Sequence, residues 1–358
     1  MIECASVLAR GRKLWHGAAA MTTCPLPPPP EWAPQSALWV GWPRLPEEWG
    51  GAFETARAEI AAFIGEAARH VTVRLAVGDE VAEAAARAML VPGLAQLHRV
   101  PTGDIWLRDT GPVFTFDDAG QLRARCFRFN GWGGKFDMPG DTETAPAIAA
   151  IEGAGPIPHD FVLEGGAVEH DGAGTVITTR ECLLNPNRNP GWSESDAERA
   201  LEHAFGARRV IWLERGLLND HTDGHVDNIA RFCAPGRVIC QRAAGRNDPN
   251  AERLAEIEAS LCEAGLDVAS VPSPGHVSDG DGHPAPASHM NFLITNGAVI
   301  VPVYGGAPDA AVLEAIAGAF PGRAIRPLGS DAILAGGGSF HCMTCHVPAP
   351  PQEDDIPS

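Results

Sequence analysis

A strand–strand–helix–strand order recurs along this chain, and it restricts the fold more than any other feature of the sequence. Helices with recognisable start and stop residues are each followed by a short segment rich in β-branched residues. The predicted helix and strand pairs are 53–68 with 71–77, 193–206 with 209–213, 248–265 with 267–271, and 308–321 with 323–327. Hairpins at 228–241 and 292–303 precede the last two helices. A helix-and-strand unit therefore repeats about every fifty to sixty residues in the C-terminal half.

Two architectures fit this order: an open α/β sheet, and a ring of modules with the strands inside and the helices outside. The polar motifs favour the ring. They lie in glycine-rich connections just beyond strand candidates, at 106–109, 164, 225–227 and 342. Loops at one end of a radial array converge on its axis, so a ring would bring these motifs together.

The composition is that of a soluble globular protein, since 45% of the 358 residues are hydrophobic and 20% are charged. The formal net charge of -18 argues against a nucleic-acid partner, because phosphate binding needs Lys and Arg gathered on one face. The same acidity is consistent with a cationic substrate, although many proteins are acidic for solubility alone. No apolar run is long enough to span a membrane, so no membrane partner is predicted.

The cysteines indicate a reducing compartment. There are nine, an odd number with unlike neighbours, which excludes a complete disulfide framework. No apolar run typical of a signal peptide follows the basic residues near the N-terminus, and we predict a cytoplasmic protein. One catalytic domain is expected at 31–350, between a flexible N-terminal extension at 1–30 and a flexible tail at 351–358. A homodimer is expected from general frequencies alone.

The glycine run 336–338 leads into Cys342. Glycines permit close backbone approach and unusual dihedral angles where a nucleophile is presented, which makes Gly338 a candidate substrate contact. Alternatively, Cys342 is a small buried hydrophobe, as most free cysteines are. Cys345 completes a Cys-x-x-Cys pair, but one such pair without a second does not make a zinc motif.

Acids and imidazoles are concentrated at 220–228, directly before a predicted strand. His225 and Asp227 are separated by one residue, so in an extended segment both side chains would face one ligand. A catalytic base and a guanidinium-binding carboxylate need that geometry. Two alternatives stay open: a polar loop that satisfies its own backbone, and the zinc site of a metal hydrolase. The zinc ligands would be His221, Asp223, His225, Asp227 and Cys342.

Trp106, Asp109 and Glu164 add an aromatic ring and two acids close to predicted strand ends. A planar cation can stack on Trp106 while Asp109 accepts two parallel N–H bonds from its edge, a geometry that suits guanidinium better than ammonium. Glu164 directly precedes two glycines, which leave room for a ligand. The alternative is a core tryptophan beside a surface Arg–Asp pair.

Together these residues have the properties that hydrolysis of a guanidinium group requires. The guanidinium carbon is deactivated by resonance and by charge, so it needs a soft nucleophile, the thiolate of Cys342, and carboxylates that hold the cation. Asp109, Asp227 and Glu164 would hold the nitrogens. As an imidazolium, His225 would lower the thiol pKa and protonate the departing ammonia, and as a neutral base it would then activate water.

These motifs, in this order, resemble those of the agmatine deiminase and bacterial-type peptidylarginine deiminase family. They are Trp106–Pro112, Leu163–Gly166, Gly224–Asn228 and Gly337–Thr344, with further matches at Asn130–Lys135, Asn185–Pro190 and Ser288–Phe292. The resemblance implies a five-bladed α/β propeller (pentein) of ββαβ modules, no metal or cofactor, and the roles of one Cys, one His, one Glu and two Asp given above. It also implies a small cationic guanidino substrate, with hydrolysis of agmatine to N-carbamoylputrescine and ammonia as the first expectation.

The part of the substrate beyond the guanidinium separates the remaining possibilities. Agmatine needs a carboxylate for its far amine, and the candidates are Asp220, Asp223, Asp279 and Asp281. Arginine or a peptidyl arginine needs a cation or an open groove, and Arg188 is the candidate cation. The loop 273–288 is either a lid over the site or an ordinary connection. A guanidinium-binding protein without turnover is a further alternative.

Overall fold

The structure is a computed structural model that describes residues 26–306 and 310–351. Its strands are β1 Gln35–Gly41, β2 Thr72–Val77, β3 Ala95–Arg99, β4 Val113–Phe116, β5 Leu122–Arg128, β6 Gly155–Val162, β7 Val168–His170, β8 Thr175–Thr179, β9 Arg209–Leu213, β10 Ala230–Ala234, β11 Arg237–Arg242, β12 Asp267–Pro272, β13 Leu293–Ile294, β14 Ala298–Val303, β15 Ala324–Gly329 and β16 Thr344–Pro348. Its helices are α1 Phe53–Ala67, α2 Glu80–Met89, α3 Leu107–Thr110, α4 Gly131–Gly134, α5 Asp141–Ile151, α6 Arg180–Leu183, α7 Glu194–Phe205, α8 Ala251–Glu263, α9 Ala310–Ala319 and α10 Asp331–Leu334. Short 3-10 turns lie at Pro46–Glu48, Gly50–Ala52, Gly165–Ala167 and Val226–Asn228.

The strands form five small sheets that follow the predicted module order. Four of the sheets have three strands each, in the orders β4-β5-β6, β7-β8-β9, β10-β11-β12 and β13-β14-β15. In each of them the first two strands are antiparallel. The third strand, which returns after the helix of the module, is parallel to the second. Each sheet is therefore one ββαβ module.

The fifth sheet joins the two ends of the described chain, in the order β16-β1-β2-β3. β16 is antiparallel to β1, with Leu38 opposite His346, and β2 is parallel to β1. β16 thus takes the position of a first strand, and β1, α1 and β2 supply the rest of the module. The extra strand β3 extends the outer edge.

Contacts between modules close the ring. The first strands of neighbouring modules touch, β16 with β4 and β7 with β10. The helices pack on the preceding module: α8 contacts β9, α9 contacts β12, and α1 contacts β15. The last of these contacts links the module formed by the chain ends to the module before it. The predicted α/β fold of five ββαβ modules is confirmed.

Local sequence signals account for most element boundaries. Ser193 caps α7 in a capping box with Asp196, and Gly206 ends the helix with a φ of 65°. The start predicted for α8 is wrong: the helix begins at Ala251, after Asn250. The side chain of Asp248 instead accepts hydrogen bonds from Ala244 N and Asn250 N and so holds the loop before the helix. The start predicted at 308 lies outside the described residues.

The segment just before the predicted domain boundary packs against the domain. Leu26 N donates to Phe116 O at 2.9 Å, and Thr115 Oγ1 donates to Leu26 O at 2.5 Å. Residues 26–30 thus belong to the packed structure, whereas 1–25 and 352–358 lie outside the described residues. The boundaries at 31 and 350 stay predictions. No helix in the described ranges is both long and apolar enough to cross a membrane.

Candidate active site

The predicted site residues occupy the connections that follow the outer strands of successive modules. Asp109 follows β3, Glu164 follows β6, His225 and Asp227 follow β9, and Cys342 follows β15. β6, β9, β12 and β15 are the third strands of their modules, and β3 is the extra strand that runs parallel to the third strand β2, so these connections emerge at one end of the ring. The remaining outer strand, β12, is followed by a connection that carries Asn291, a residue to which the sequence assigned no role.

The polar atoms of these connections converge around Gly166. A Cβ atom added there would lie 2.6 Å from His225 Nδ1, 2.9 Å from Asp109 Oδ1 and 3.0 Å from Asp227 Oδ2, so only glycine fits. His225 Nε2 lies 4.0 Å from Glu164 Oε2. The five predicted catalytic side chains are thereby brought together, since Cys342 Sγ lies 3.5 Å from Asp227 Oδ2.

The local conformation that was predicted for His225 and Asp227 is wrong. His225 precedes a 3-10 turn, Val226–Asn228, so the segment is not extended through Asp227. Both side chains nevertheless reach the same point, because the turn is buried at the ring axis and the two side chains are fully inaccessible to solvent.

A cavity of about 130 Å³ opens onto the thiol. Cys342 and Asp109 line it together with Trp106, whose ring stacks on that of Trp49 at a centroid distance of 5.9 Å. Gly338 lies against the same ring, since an added Cβ would approach Trp106 Cζ3 to 2.6 Å. The cavity therefore has an aromatic wall, a thiol and a carboxylate at its inner end.

The two aspartates of the site differ in their surroundings. Burial raises the pKa of Asp109; His225 opposes this rise, and the charges of Asp227 and Glu164 add to it. Asp109 keeps two donors, Trp132 Nε1 at 2.9 Å and Gly166 N at 3.0 Å. For Asp227 burial also acts to raise the pKa, but the hydrogen bond and charge of His341 outweigh it and the pKa is lowered. Asp227 is therefore the more firmly ionised carboxylate.

Cys342 is buried, and only 4% of its surface is exposed. Burial raises the pKa of its thiol well above the ordinary value, and the charges of Asp227 and Asp109 raise it further. Asn291 Nδ2 opposes this by donating to Sγ at 3.0 Å. A cation that entered between the two aspartates would remove much of the electrostatic cost of the thiolate.

Asp223 and Arg188 have partners within the protein. Asp223 accepts hydrogen bonds from Lys135, Asn187 and Arg188 and does not line the cavity. Arg188 Nε donates to Glu164 Oε1 at 2.6 Å. The contact with Arg188 fixes Glu164 beside His225. Arg188, which was predicted as the partner of a substrate carboxylate, is thus already paired with Glu164 and Asp223.

The other acids predicted for the substrate tail also lie outside this cavity. Asp220 accepts hydrogen bonds from Thr222 and Asn228. Asp279 lines a neighbouring cavity of about 280 Å³ beneath the loop 273–288, which shares three lining residues with the first cavity: His221, Ala335 and Gly337. The acids that line the cavity at Cys342 are instead Glu48 and Asp104, with Asp109.

One set of metal-type side chains is close together among the described residues. Glu164, Cys182 and His225 offer ligand atoms within 4.8 Å of one another. This is not the zinc set considered from the sequence, which is not brought together, because Asp223 faces Lys135 and Arg188. Cys182 is a buried thiol that sequence reasoning did not single out.

Other residues that the sequence did not assign a role are Glu31, Trp132, Asn291 and His341. Three of them lie inside or beside motifs that carried the family resemblance, so the signal was present in the sequence. Their role was not readable from it, because each acts through a contact with a residue far away in the chain.

Most of the chain matches one family of known proteins. Residues 28–348 match the family model of the Porphyromonas-type peptidyl-arginine deiminases. The agmatine deiminase of Stutzerimonas stutzeri is 38% identical over 351 residues, which cover 90% of this chain and 95% of that protein. The agmatine deiminase of Enterococcus faecalis superposes with a TM-score of 0.86 at 31% identity, covering 91% of this chain and 96% of that one. A C. jejuni agmatine deiminase with substrate bound superposes with a TM-score of 0.84 at 26% identity, covering 91% and 97%.

Proposed function

The chain belongs to the Porphyromonas-type peptidyl-arginine deiminase family, and from this premise we propose that it hydrolyses agmatine to N-carbamoylputrescine and ammonia through a covalent intermediate on Cys342. One observation carries the proposal. A thiol and a carboxylate line a cavity and lie against a buried imidazole and two further carboxylates, and the other charged residues that line this cavity, among those that the structure describes, are acids.

The guanidinium group fits the inner end of this cavity. Asp109 and Asp227 present carboxylate oxygens near Cys342, and a planar cation can share its N–H donors between them. Trp106 supplies the face on which such a cation stacks. In the empty site the two negative charges repel each other, so each carboxylate makes ionisation of the other less favourable. Binding of one cation between them relieves that repulsion.

The thiol is activated when the substrate binds. In the empty site, burial and the two aspartates hold the pKa of Cys342 well above its ordinary value. Once the guanidinium balances the aspartates, the thiol releases its proton to solvent, and Asn291 donates a hydrogen bond to the resulting thiolate. The thiolate then attacks the guanidinium carbon, held in place for a near-attack geometry.

His225 carries the protons of the two half-reactions. Burial opposes its charge, but Asp109, then the hydrogen bond and charge of Cys182, and then Glu164 outweigh it, and its pKa lies well above the ordinary value. The imidazolium gives its proton to the departing ammonia, which leaves a thiouronium on Cys342. The neutral ring then takes a proton from water, whose oxygen attacks the same carbon and releases the ureido product and the thiol.

The outer part of the cavity favours an amine tail. Glu48 and Asp104 line it, and burial, together with the charges of Asp141 and Glu48, raises the pKa of Asp104 to about 7. An ammonium at this position would stabilise ionised Asp104. A substrate carboxylate would face acids instead, since Arg188 is committed to Glu164 and Asp223. Agmatine is therefore favoured over arginine or a peptidyl arginine.

Ammonia release from agmatine, arginine and an arginyl peptide tests the proposal. Wild-type protein should turn over agmatine, Cys342→Ala should lose turnover but still bind agmatine, and Cys262→Ala, at an exposed thiol outside the site, should match wild type. Asp104→Asn should raise the KM for agmatine by about tenfold with a smaller change in kcat. Equal turnover of arginine by wild type, or activity in Cys342→Ala, would contradict the proposal.

A further inference from the structure

A histidine is held between two buried carboxylates directly behind the site. His341 precedes Cys342 and is 2% exposed. Its Nδ1 lies 2.7 Å from Asp227 Oδ2, and its Nε2 lies 2.7 Å from Glu31 Oε2. A neutral imidazole has one N–H and can donate to only one of them, so two ionised carboxylates at these distances require the doubly protonated ring.

Both carboxylates are kept ionised by their surroundings. For Glu31, burial opposes the charge, but Arg231, then His341 and Arg108, outweigh it and hold the pKa well below its ordinary value. The pKa of Asp227 is lowered in the same way by His341. The ring therefore lies between two negative charges, and its hydrogen bonds to both fix its orientation.

The arrangement continues away from the site as an alternating row of charges. Arg231 is fully buried and bonds Glu31 at 2.8 Å and Glu169 at 3.1 Å. Asp227, His341, Glu31, Arg231 and Glu169 thus form a row in which each charge has a partner of opposite sign. A buried charge with a partner of this kind is stable, whereas removal of one member leaves the next unbalanced.

The row leaves one acceptor unsatisfied at its end next to Cys342. Oδ2 of Asp227 is engaged by His341, and Cys342 Sγ lies 3.5 Å from it. Oδ1 of Asp227 has no hydrogen-bond partner among the described residues, although the side chain is completely buried. A buried carboxylate oxygen without a donor is costly, and an N–H of a bound cation would satisfy it.

We propose that His341 is a positioning residue: as an imidazolium backed by Glu31, it fixes Asp227 so that Oδ1 is presented to the guanidinium, an inference that rests on the proposed function. His341 does not touch the substrate. Its effect on the reaction passes through the charge and orientation of Asp227.

Replacement of His341 should change the pH dependence of the reaction. Burial and the charge of Asp109 act to raise the pKa of Asp227, and His341 opposes them. Without His341 the pKa of Asp227 should therefore rise, and Asp227 should take up a proton at a higher pH. The acid limb of kcat/KM should then move to higher pH. Other charged or titratable groups near His341 are Arg108, Glu169, His170, Arg231 and His346, and they remain in every variant compared below.

The test compares His341→Gln, Glu31→Gln and the double variant with wild type. His159→Gln is the matched control, because His159 is a buried histidine whose ring contacts are with Phe127, Phe161 and His203 and not with the row. Two readouts are measured against pH: kcat/KM for ammonia release from agmatine, and the rate at which 2-chloroacetamidine alkylates Cys342. The second needs no turnover, since the reagent is a cation that forms a C–S bond and releases chloride.

For His341→Gln, both rates should fall about 10- to 100-fold at neutral pH, and the acid limb should move to higher pH. Glu31→Gln should also lower both rates and move the acid limb to higher pH. In the double variant the rates should be little lower than in His341→Gln alone. An acid limb at the wild-type position in both single variants overturns the inference. If His341→Gln does not fold, the position of the acid limb in Glu31→Gln tests the inference. Wild-type protein that releases no ammonia from agmatine contradicts the proposed function instead, while the alkylation profiles still decide the role of His341.

Discussion

Asn291 donates a hydrogen bond to Cys342, the proposed nucleophile, and its replacement gives the sharpest prediction. Its Nδ2 donates to Cys342 Sγ at 3.0 Å and to Asn228 Oδ1 at 2.9 Å. Its Oδ1 accepts from His341 N at 3.0 Å and from Cys342 N at 3.2 Å. One side chain thus supports the backbone at His341 and Cys342 and, under the proposed mechanism, stabilises the thiolate.

Asn291→Asp separates these two roles. The carboxylate keeps an acceptor for both backbone N–H groups, but it removes the donor to Sγ and adds a third negative charge beside the thiol. A hydrogen bond to a charged group is worth about 1.5–3 kcal/mol, so kcat/KM should fall about 10- to 150-fold, and the thiol pKa should rise further above its ordinary value. Asn291→Ala also leaves Cys342 N without that acceptor, which should lower the free energy of unfolding by about 1–3 kcal/mol.

The thiol pKa is measured from the pH dependence of alkylation by neutral iodoacetamide, with Cys342 quantified by mass spectrometry. Ammonia release gives kcat/KM. Asn296→Asp is the control: it makes the same change in a side chain that pairs with Gln35 in the turn between β13 and β14, and its site properties should equal those of wild type. If Asn291→Asp kept the wild-type thiol pKa and kcat/KM, the assigned role of this hydrogen bond would be refuted.

Three further changes have defined outcomes. Trp132→Phe removes the 2.9 Å donor to Asp109 while keeping a ring next to Phe129; the pKa of Asp109 should rise and the KM for agmatine should increase about tenfold, measured by ammonia release. Gly338→Ala forces a methyl group to within 2.6 Å of Trp106 and 3.0 Å of Cys342 Cβ, so kcat should fall at least tenfold, whereas Gly65→Ala, a helix position with open space, should keep full activity and raise the melting temperature slightly. Glu31→Gln should lower the free energy of unfolding at pH 7 by about 3–5 kcal/mol. Because the pKa of Glu31 is depressed in the folded state, its stabilisation is present above the ordinary carboxyl value and lost as the pH falls, so the melting temperatures of wild type and variant should converge below about pH 4.5; a constant difference down to pH 3 would contradict this assignment.

Local patterns in the sequence were sufficient for the modules. The start and stop residues of α7 and the β-branched run of β9 act through hydrogen bonds and packing within a few residues, so they could be read in isolation. The start of α8 was misplaced because Asp248, an apparent cap, bonds to loop backbone at Ala244 instead. Such a choice depends on what the surrounding loop offers and not on residue type alone.

The residues of the candidate site also divide into those that the sequence identified and those that only the fold revealed. Cys342, His225, Asp109, Asp227 and Glu164 could be named from the chemistry that a guanidinium requires and from the motifs around them. The carboxylates that we propose for the substrate tail could not be named in this way. Asp223 and Asp220 are engaged by neighbours, and Asp104, which no local pattern distinguished, lines the cavity beside Glu48.

The sequence by itself determined the repeating ββαβ order and the residue types of the reacting groups, because both depend on side-chain chemistry and on contacts between near neighbours in the chain. The tertiary structure alone decided that β16 joins β1 and β2 in one module, that Asn291 donates to the thiol, and that Glu31 meets His341 across 310 residues of chain. Closing the ring brings these distant segments to one axis, and burial there makes each unpaired charge or donor costly, so the partners are selected by the assembled fold.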